Sequence, residues 1–180
     1  MKEQIGYPYT MLPDDMFQHG GAGYGGQGTL CGSLGACSAI INLVAMDQHF
    51  SHNAIVADLI NWYASATFPT SRFDDICRFP EQIKVSPNSP LCHISASTWT
   101  VAAGTNVDSY ERKDRCAKVA GEVAYQTVLR LNAYVDGSYA PSAPGPSEAT
   151  AYCLNCHGPA AFNNQQGKMS CMLCHSDHTK

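Results

Sequence analysis

Charge is scarce in this sequence: Asp, Glu, Lys and Arg together make up 14% of its 180 residues, against the usual quarter. Its surface must be softened by Gly, Ser, Asn and Thr, or covered in part by a partner or a cofactor. No Lys/Arg cluster occurs and the formal net charge is −4, so nothing points to nucleic acid. No apolar run approaches the roughly 18 residues that a membrane span needs. The N-terminal MKEQIGYPYTMLPDD is polar and lacks the apolar core of a secretory signal. Paired carboxylates, a Ser-His-Asp set or another familiar catalytic cluster are also missing.

Cysteine, by contrast, is plentiful. Nine occur in the chain, too many for a reduced cytosolic protein without a metal or redox purpose. Four of them fall in Cys153-Leu-Asn-Cys156-His157 and Cys171-Met-Leu-Cys174-His175. Cys-x-x-Cys-His is the attachment sequence of c-type haem. Two thiols add to the porphyrin vinyl groups as thioethers, and the adjacent histidine binds iron from below the ring. Without the histidines, the same tail reads C-x2-C-x14-C-x2-C, close to a four-cysteine zinc site or a pair of disulfides. Histidine accounts for only 7 of 180 residues, so one after each pair is a poor coincidence, and two haems c per chain is the stronger reading.

Each iron then needs a sixth ligand. His19, His49, His52, His93 and His178 remain. His93 stands beside Cys92 in the Pro-bounded SPLCHIS and is the first choice. His19 opens the glycine-rich HGGAGYGGQG, where bare backbone could approach a flat macrocycle, and is the second. His49 and His52 read as solvated residues at a helix end and a cap, and His178 lies too close to His175 to reach the opposite face of the same iron.

Cys31, Cys37, Cys77, Cys92 and Cys116 lie outside the haem motifs. Cys31 and Cys37, six residues apart on an expected helix, cannot readily bond to each other. Three or four of the five could converge on an iron–sulfur cluster. Small buried thiols packing helices is the commoner role of free cysteine and the reading favoured here. Gly21-x-Gly23-x-x-Gly26 matches the dinucleotide fingerprint, but no hydrophobic strand precedes it and no βαβ pattern surrounds it.

The expected fold is mainly α: a helical domain over 1–135 with a loop-rich middle, a Pro/Ser/Gly linker over 136–149, and a dihaem-binding tail over 150–180 with little regular structure. Helical periodicity is predicted over 30–48, with Leu30, Leu34, Cys37, Ile41 and Val44 inward. It recurs over 53–66, with Ile55, Val56, Leu59, Ile60 and Tyr63 inward and Ser51 or Asn53 as N-cap. A short helix is expected near 91–101. The longest, 109–135, turns Cys116, Val119, Val123, Val128 and Leu131 inward and is closed by Gly137. Four prolines break up 67–107, and three end any helix in DGSYAPSAPGPSEA.

GTLCGSLGACSAIINL (28–43), SPLCHIS (89–95) and ERKDRCAKVAGEVA (111–124), followed by two haem motifs, resemble the split-Soret cytochromes c. The globular part of that family belongs to the C-GCAxxG-C-C redox group. The resemblance covers nearly the whole chain. It implies a periplasmic electron-transfer homodimer of mostly helical subunits, each with two closely packed bis-histidine haems, and a histidine ligand that can cross between subunits. It also implies that Cys31, Cys92 and Cys116 occupy family cysteine positions and that His93 is a distal ligand. The family's glycine–cysteine–alanine segment is expected before residue 1 and is absent. Since c-type haem is attached after export, the signal is expected to have been removed or to lie upstream.

A haem oxidoreductase working at an open sixth site is the alternative function, with a zinc-binding interaction module behind it. A dimer is expected on energetic grounds as well. Each haem brings roughly several hundred Å2 of apolar surface, at about 25 cal/mol per Å2, to a tail with few large side chains of its own. The linker is long enough to let two tails stack between subunits; the alternative is a tail folded back on its own subunit.

Overall fold

A computed structural model of the chain describes residues 2–7, 9–49, 51–141 and 145–178. The architecture is mainly helical, and no sheet occurs among the described residues, only the isolated antiparallel bridges Leu30–Leu91 and Phe68–Val85. In chain order the helices are α1 (Lys2–Ile5), α2 (Gly32–Ala45), α3 (Ser51–Ser65), α4 (Cys92–Ala103), α5 (Tyr110–Val135) and α6 (Glu148–His157). None is long and apolar enough to cross a membrane.

The core forms where α2 packs on both α3 and α5. Leu34, Ile41 and Ala45 of α2 meet Ile55, Leu59 and Tyr63 of α3 and Val119, Val123 and Leu131 of α5, with Phe68 sealing one end. Each such aliphatic side chain contributes about 2 kcal/mol on burial. The inward residues predicted for α2 and α3 are buried or half-buried against this cluster.

On α5 one of the five differs: Val128 is 54% exposed and Thr127 takes the inward place. Thr127 is four residues beyond Val123, whereas five residues advance the helix by about 500° and turn the side chain outward. The Thr127 hydroxyl donates to the Val123 carbonyl at 2.8 Å, which satisfies it in the core.

Helix ends follow local chemistry. The Ser109 hydroxyl accepts from Arg112 N at 3.1 Å and caps α5. Beyond it, Gly137 adopts φ +69° and donates to the Tyr134 carbonyl. Neither Ser51 nor Asn53 caps α3, because both lie within the helix. The Asp47 carboxylate does that work instead, accepting from His49 N at 2.9 Å and Ser51 N at 3.1 Å. A hydrogen bond from the Ser51 side chain, and then these backbone bonds, hold its pKa well below the usual carboxylate range.

The proline-rich middle segment is ordered by polar side chains of α5. Lys118, fully buried, donates to Asp74 and to the Phe79 carbonyl, both at 2.6 Å. The Asp114 carboxylate accepts from Arg78 N and Phe79 N, and Gln82 donates to the Glu111 carbonyl. Buried Glu122 pairs with Arg72 and accepts from the Thr70 hydroxyl. Loop backbone thus finds the partners that a sheet or helix would otherwise supply.

Of the 136–149 segment, residues 142–144 lie outside the described residues, and its last two residues already open α6.

Candidate functional site

The first haem motif is built on α6. The Ser147 hydroxyl accepts from Thr150 N at 3.3 Å and starts the helix, and His157 is its last residue. Cys153 and Cys156, three apart on a helix, share one face, which points both thiols the same way. After Gly158 the chain folds back: Phe162 N donates to the Cys156 carbonyl and Asn164 N to that of His157. This return places the Asn164 amide oxygen 2.9 Å from His157 Nδ1. An amide oxygen only accepts, so Nδ1 carries the proton and Nε2 is left with its lone pair for a metal. The Asn164 contact could not be read from the sequence, because its distance of seven residues from His157 is no recognisable motif.

The second motif forms a single 3-10 turn, Cys171–Leu173, with the His175 amide donating to the Cys171 carbonyl at 2.9 Å. The two motifs are neighbours. Cys153 and Cys171 interact through their thiols, which together with desolvation, the larger effect, raises the Cys153 pKa. His178 lies edge-on to the His157 ring, with centroids 5.8 Å apart. Cys156, Cys174 and His175 are exposed. Around them Tyr152, Phe162, Met169, Met172 and Leu173 are exposed too, Phe162 at 73%. Two haems would cover such surface, and four thiols, two adjacent imidazoles and an apolar surround are the donor set they require.

Of the distal candidates, His93 is exposed in the first turn of α4, with Nδ1 3.5 Å from the Ser97 hydroxyl. His19 is exposed and its Nδ1 donates to the Met16 carbonyl at 2.9 Å. At His19 the carbonyl acceptor puts the proton on Nδ1 and leaves the Nε2 lone pair for a ligand role. His93 is also linked to the tail, because the Ser89 hydroxyl four residues earlier contacts Met169 Sδ at 4.0 Å. The glycine-rich run beside His19 approaches α4 closely. A Cβ on Gly23 would lie 2.8 Å from Cys92 Cβ, and one on Gly28 would lie 2.9 Å from His93 Cβ. Both glycines have positive φ, +73° and +70°, so only glycine serves at either position.

That close approach assembles a second site. Cys31 N donates to the Pro90 carbonyl at 2.9 Å, Cys92 N to Thr29 at 2.7 Å and His93 N to Gly28 at 3.0 Å. Cys31 therefore stands at the N-cap of α2 rather than within the helix, and faces Cys92 at the start of α4. Cys116 joins them from α5. The three thiols line one cavity of about 40 Å3 together with Tyr63, Ser95, Ala96, Arg115 and Val119. Burial, then the neighbouring thiols, raise the Cys92 pKa, while Arg112 and Arg115 pull it down. As they lie, the thiols are not drawn to a common point: among the described residues no three His, Cys, Asp or Glu side chains stand in metal-holding geometry. Cys37 and Cys77 stay apart from this group. Cys37 is half-buried against the core near Thr127, and desolvation raises its pKa. Cys77 sits in the middle segment near Asp114.

Residues 1–128 match the profile of C_GCAxxG_C_C, a family described as redox-active. The chain belongs to that family. The C_GCAxxG_C_C match ends inside α5, so it covers Cys31, Cys92 and Cys116 but neither haem motif. Across almost its full length the chain is similar to "Split-Soret cytochrome c" of Desulfovibrio desulfuricans, with 28% identity over 98% of the chain. It spans 64% of that relative's length. It is similar as well to a solved structure described as "A novel iron centre in the split-Soret cytochrome c from Desulfovibrio desulfuricans ATCC 27774". There the TM-score is 0.88 and the identity 25%, over 99% of this chain and 76% of the other. The mainly helical fold is therefore shared with a cytochrome c that carries an iron centre.

Proposed function

We propose that the chain is a dihaem c-type cytochrome that passes electrons in the periplasm, working as a homodimer. The observation that carries this reading is the pair of Cys-x-x-Cys-His motifs, set on α6 and on the Cys171–Leu173 turn that packs against it. Haem would be held covalently by Cys153 and Cys156 and by Cys171 and Cys174, with His157 and His175 as proximal ligands. His93 is the first choice for a distal ligand and His19 the second. Haem iron supplies one-electron exchange between its ferric and ferrous states. The protein's part is to hold both rings in one segment, to fix the His157 tautomer through Asn164, and to fill the sixth positions. Filled positions favour electron transfer over chemistry on a substrate.

A second cofactor is supported by the three-thiol cavity and by the iron centre named for the similar structure. We assign to Cys31, Cys92 and Cys116 the holding of an iron or iron–sulfur centre. Their positions on three elements around one cavity suit this, provided the side chains turn inward by rotation about χ1.

The reading is tested by the optical spectrum of the reduced protein, matured in a host that attaches c-type haem. Sharp α and β bands of low-spin haem are expected. A high-spin component would mark an open iron and favour an oxidoreductase, and a featureless visible region would mean that no haem is bound. Sedimentation across a concentration series should give a dimer; a monomer at every concentration, about 21 kDa for the 19.4 kDa polypeptide with two haems, would contradict the dimer.

A further inference from the structure

Arg115 is 2% exposed and has no carboxylate against it among the described residues. Its neighbours on α5 show how unusual this is. Buried Lys118 has Asp74 at 2.6 Å, and Arg130 has Asp58 at 2.8 Å. Arg115 instead donates from Nη2 to the Ser95 hydroxyl at 3.0 Å, and its Nε has no partner. Ser95 is neutral, and the same oxygen also accepts from the Tyr63 hydroxyl at 2.9 Å. A buried guanidinium with neither counter-ion nor a full set of acceptors is costly, and such a group ordinarily marks a place where an anion belongs.

The cavity that Arg115 lines offers only one source of negative charge. Its titratable groups are Cys31, Cys92, Cys116 and Tyr63, and burial pushes the Tyr63 phenol far above its ordinary value. Arg112 adds a second cation at the rim, its Nη1 lying 3.8 Å from Cys116 Sγ. Two arginines thus face three thiols with no acidic side chain lining the cavity.

We propose that Arg115 is a positioning residue whose fixed charge balances an anionic iron–thiolate centre held by Cys31, Cys92 and Cys116. The inference rests on the iron-centre reading above and adds to it a role for a residue that is not a ligand. Three thiolates around a ferric ion are neutral overall and around a ferrous ion carry one negative charge. Any added sulfide makes both states more negative without changing the difference of one electron. A buried cation beside the centre therefore favours the reduced state and holds the potential up. The unpartnered Nε is free to hydrogen-bond to a thiolate or a sulfide once one is present.

The test uses the full haem-loaded chain, reconstituted with ferrous iron and sulfide. Non-haem iron is assayed with a chelator, and the potential of the non-haem signal is followed by EPR. Arg115→Met should lower the non-haem iron several-fold, or retain it at a more negative potential. Arg115→Lys should restore both towards the wild type, because it keeps the charge. Cys92→Ser should abolish the iron. An Arg115→Met protein with wild-type iron and an unchanged potential, beside a Cys92→Ser protein that has lost its iron, would overturn the role of Arg115 alone. Full iron retention in Cys92→Ser would overturn the iron-centre reading and the inference together. Should Arg115→Met fail to fold, Arg115→Lys decides by itself: loss of iron despite the retained charge would contradict charge balance.

Discussion

Ten buried apolar side chains from α2, α3, α5 and the Phe68 turn share one core, whereas residues 148–178 fully bury only Thr150 and Gly158. With Arg115 as the exception, the body also pairs its inward-facing charges, as Lys118 with Asp74 and Arg130 with Asp58 illustrate. The tail instead exposes Tyr152, Phe162, Met169 and Met172 together with Cys156, Cys174 and His175, and leaves Cys153, Cys171 and His157 half-buried. One region is stabilised by its own side chains; the other carries the chemistry and needs a bound group to bury its apolar surface. Burial of apolar area explains the first without help, and the second only if the cofactor counts as part of the core.

The change with the largest expected effect removes the cofactors outright. Replacing Cys153, Cys156, Cys171 and Cys174 together by alanine should abolish all covalent haem, while far-UV circular dichroism still reports the α2–α5 helices. Loss of the body's helical signal in that variant would mean that the two regions do not fold separately. His93→Ala strikes between the regions, since His93 belongs to the body and its proposed ligand role to the tail. It should turn one haem high-spin and leave the other low-spin; an unchanged spectrum would assign His93 to the scaffold. Asp58→Ala should act on the body alone. It leaves half-buried Arg130 without its carboxylate, though still bonded to Gln126, and should cost about 2 kcal/mol in denaturant unfolding, with haem bands unmoved. The smallest effect belongs to Asn164→Ala, which removes the acceptor at His157 Nδ1. Both haems should stay low-spin, and the potential of the His157 haem alone should rise, because a less basic imidazole donates less charge to iron. Potentiometric titration of the two haems reads this directly.

Much of the helical framework was legible because helical periodicity is a local signal. The α5 start at the Ser109 cap and its closure at Gly137 follow from residue chemistry within one turn. Legibility failed where a residue's environment is set by distant partners. Arg115, Lys118 and Glu122 lie outside the inward set that periodicity picks on α5, yet all three are buried. Their spacing of three and four residues, next to Val119 and Val123, is the one available hint that this polar face points inward. Asp47 could not be recognised as the cap of α3, because its acceptor role depends on the turn between the helices.

The sites divide in the same way. Both haem motifs are contiguous and could be read at once. The grouping of Cys31, Cys92 and Cys116 could not, since it depends on the Leu30–Leu91 bridge and on two glycines that let the loop reach α4. Packing thiols were the favoured reading of all five cysteines outside the motifs. The packing of half-buried Cys37 against the core agrees with that role, whereas three of the others share one cavity.

The account stands or falls on covalent haem in the tail, and intact mass spectrometry of the matured protein measures it. Two haems should raise the 19.4 kDa polypeptide by about 1.2 kDa in all. A mass matching the bare chain, or the chain with a single haem, would contradict it.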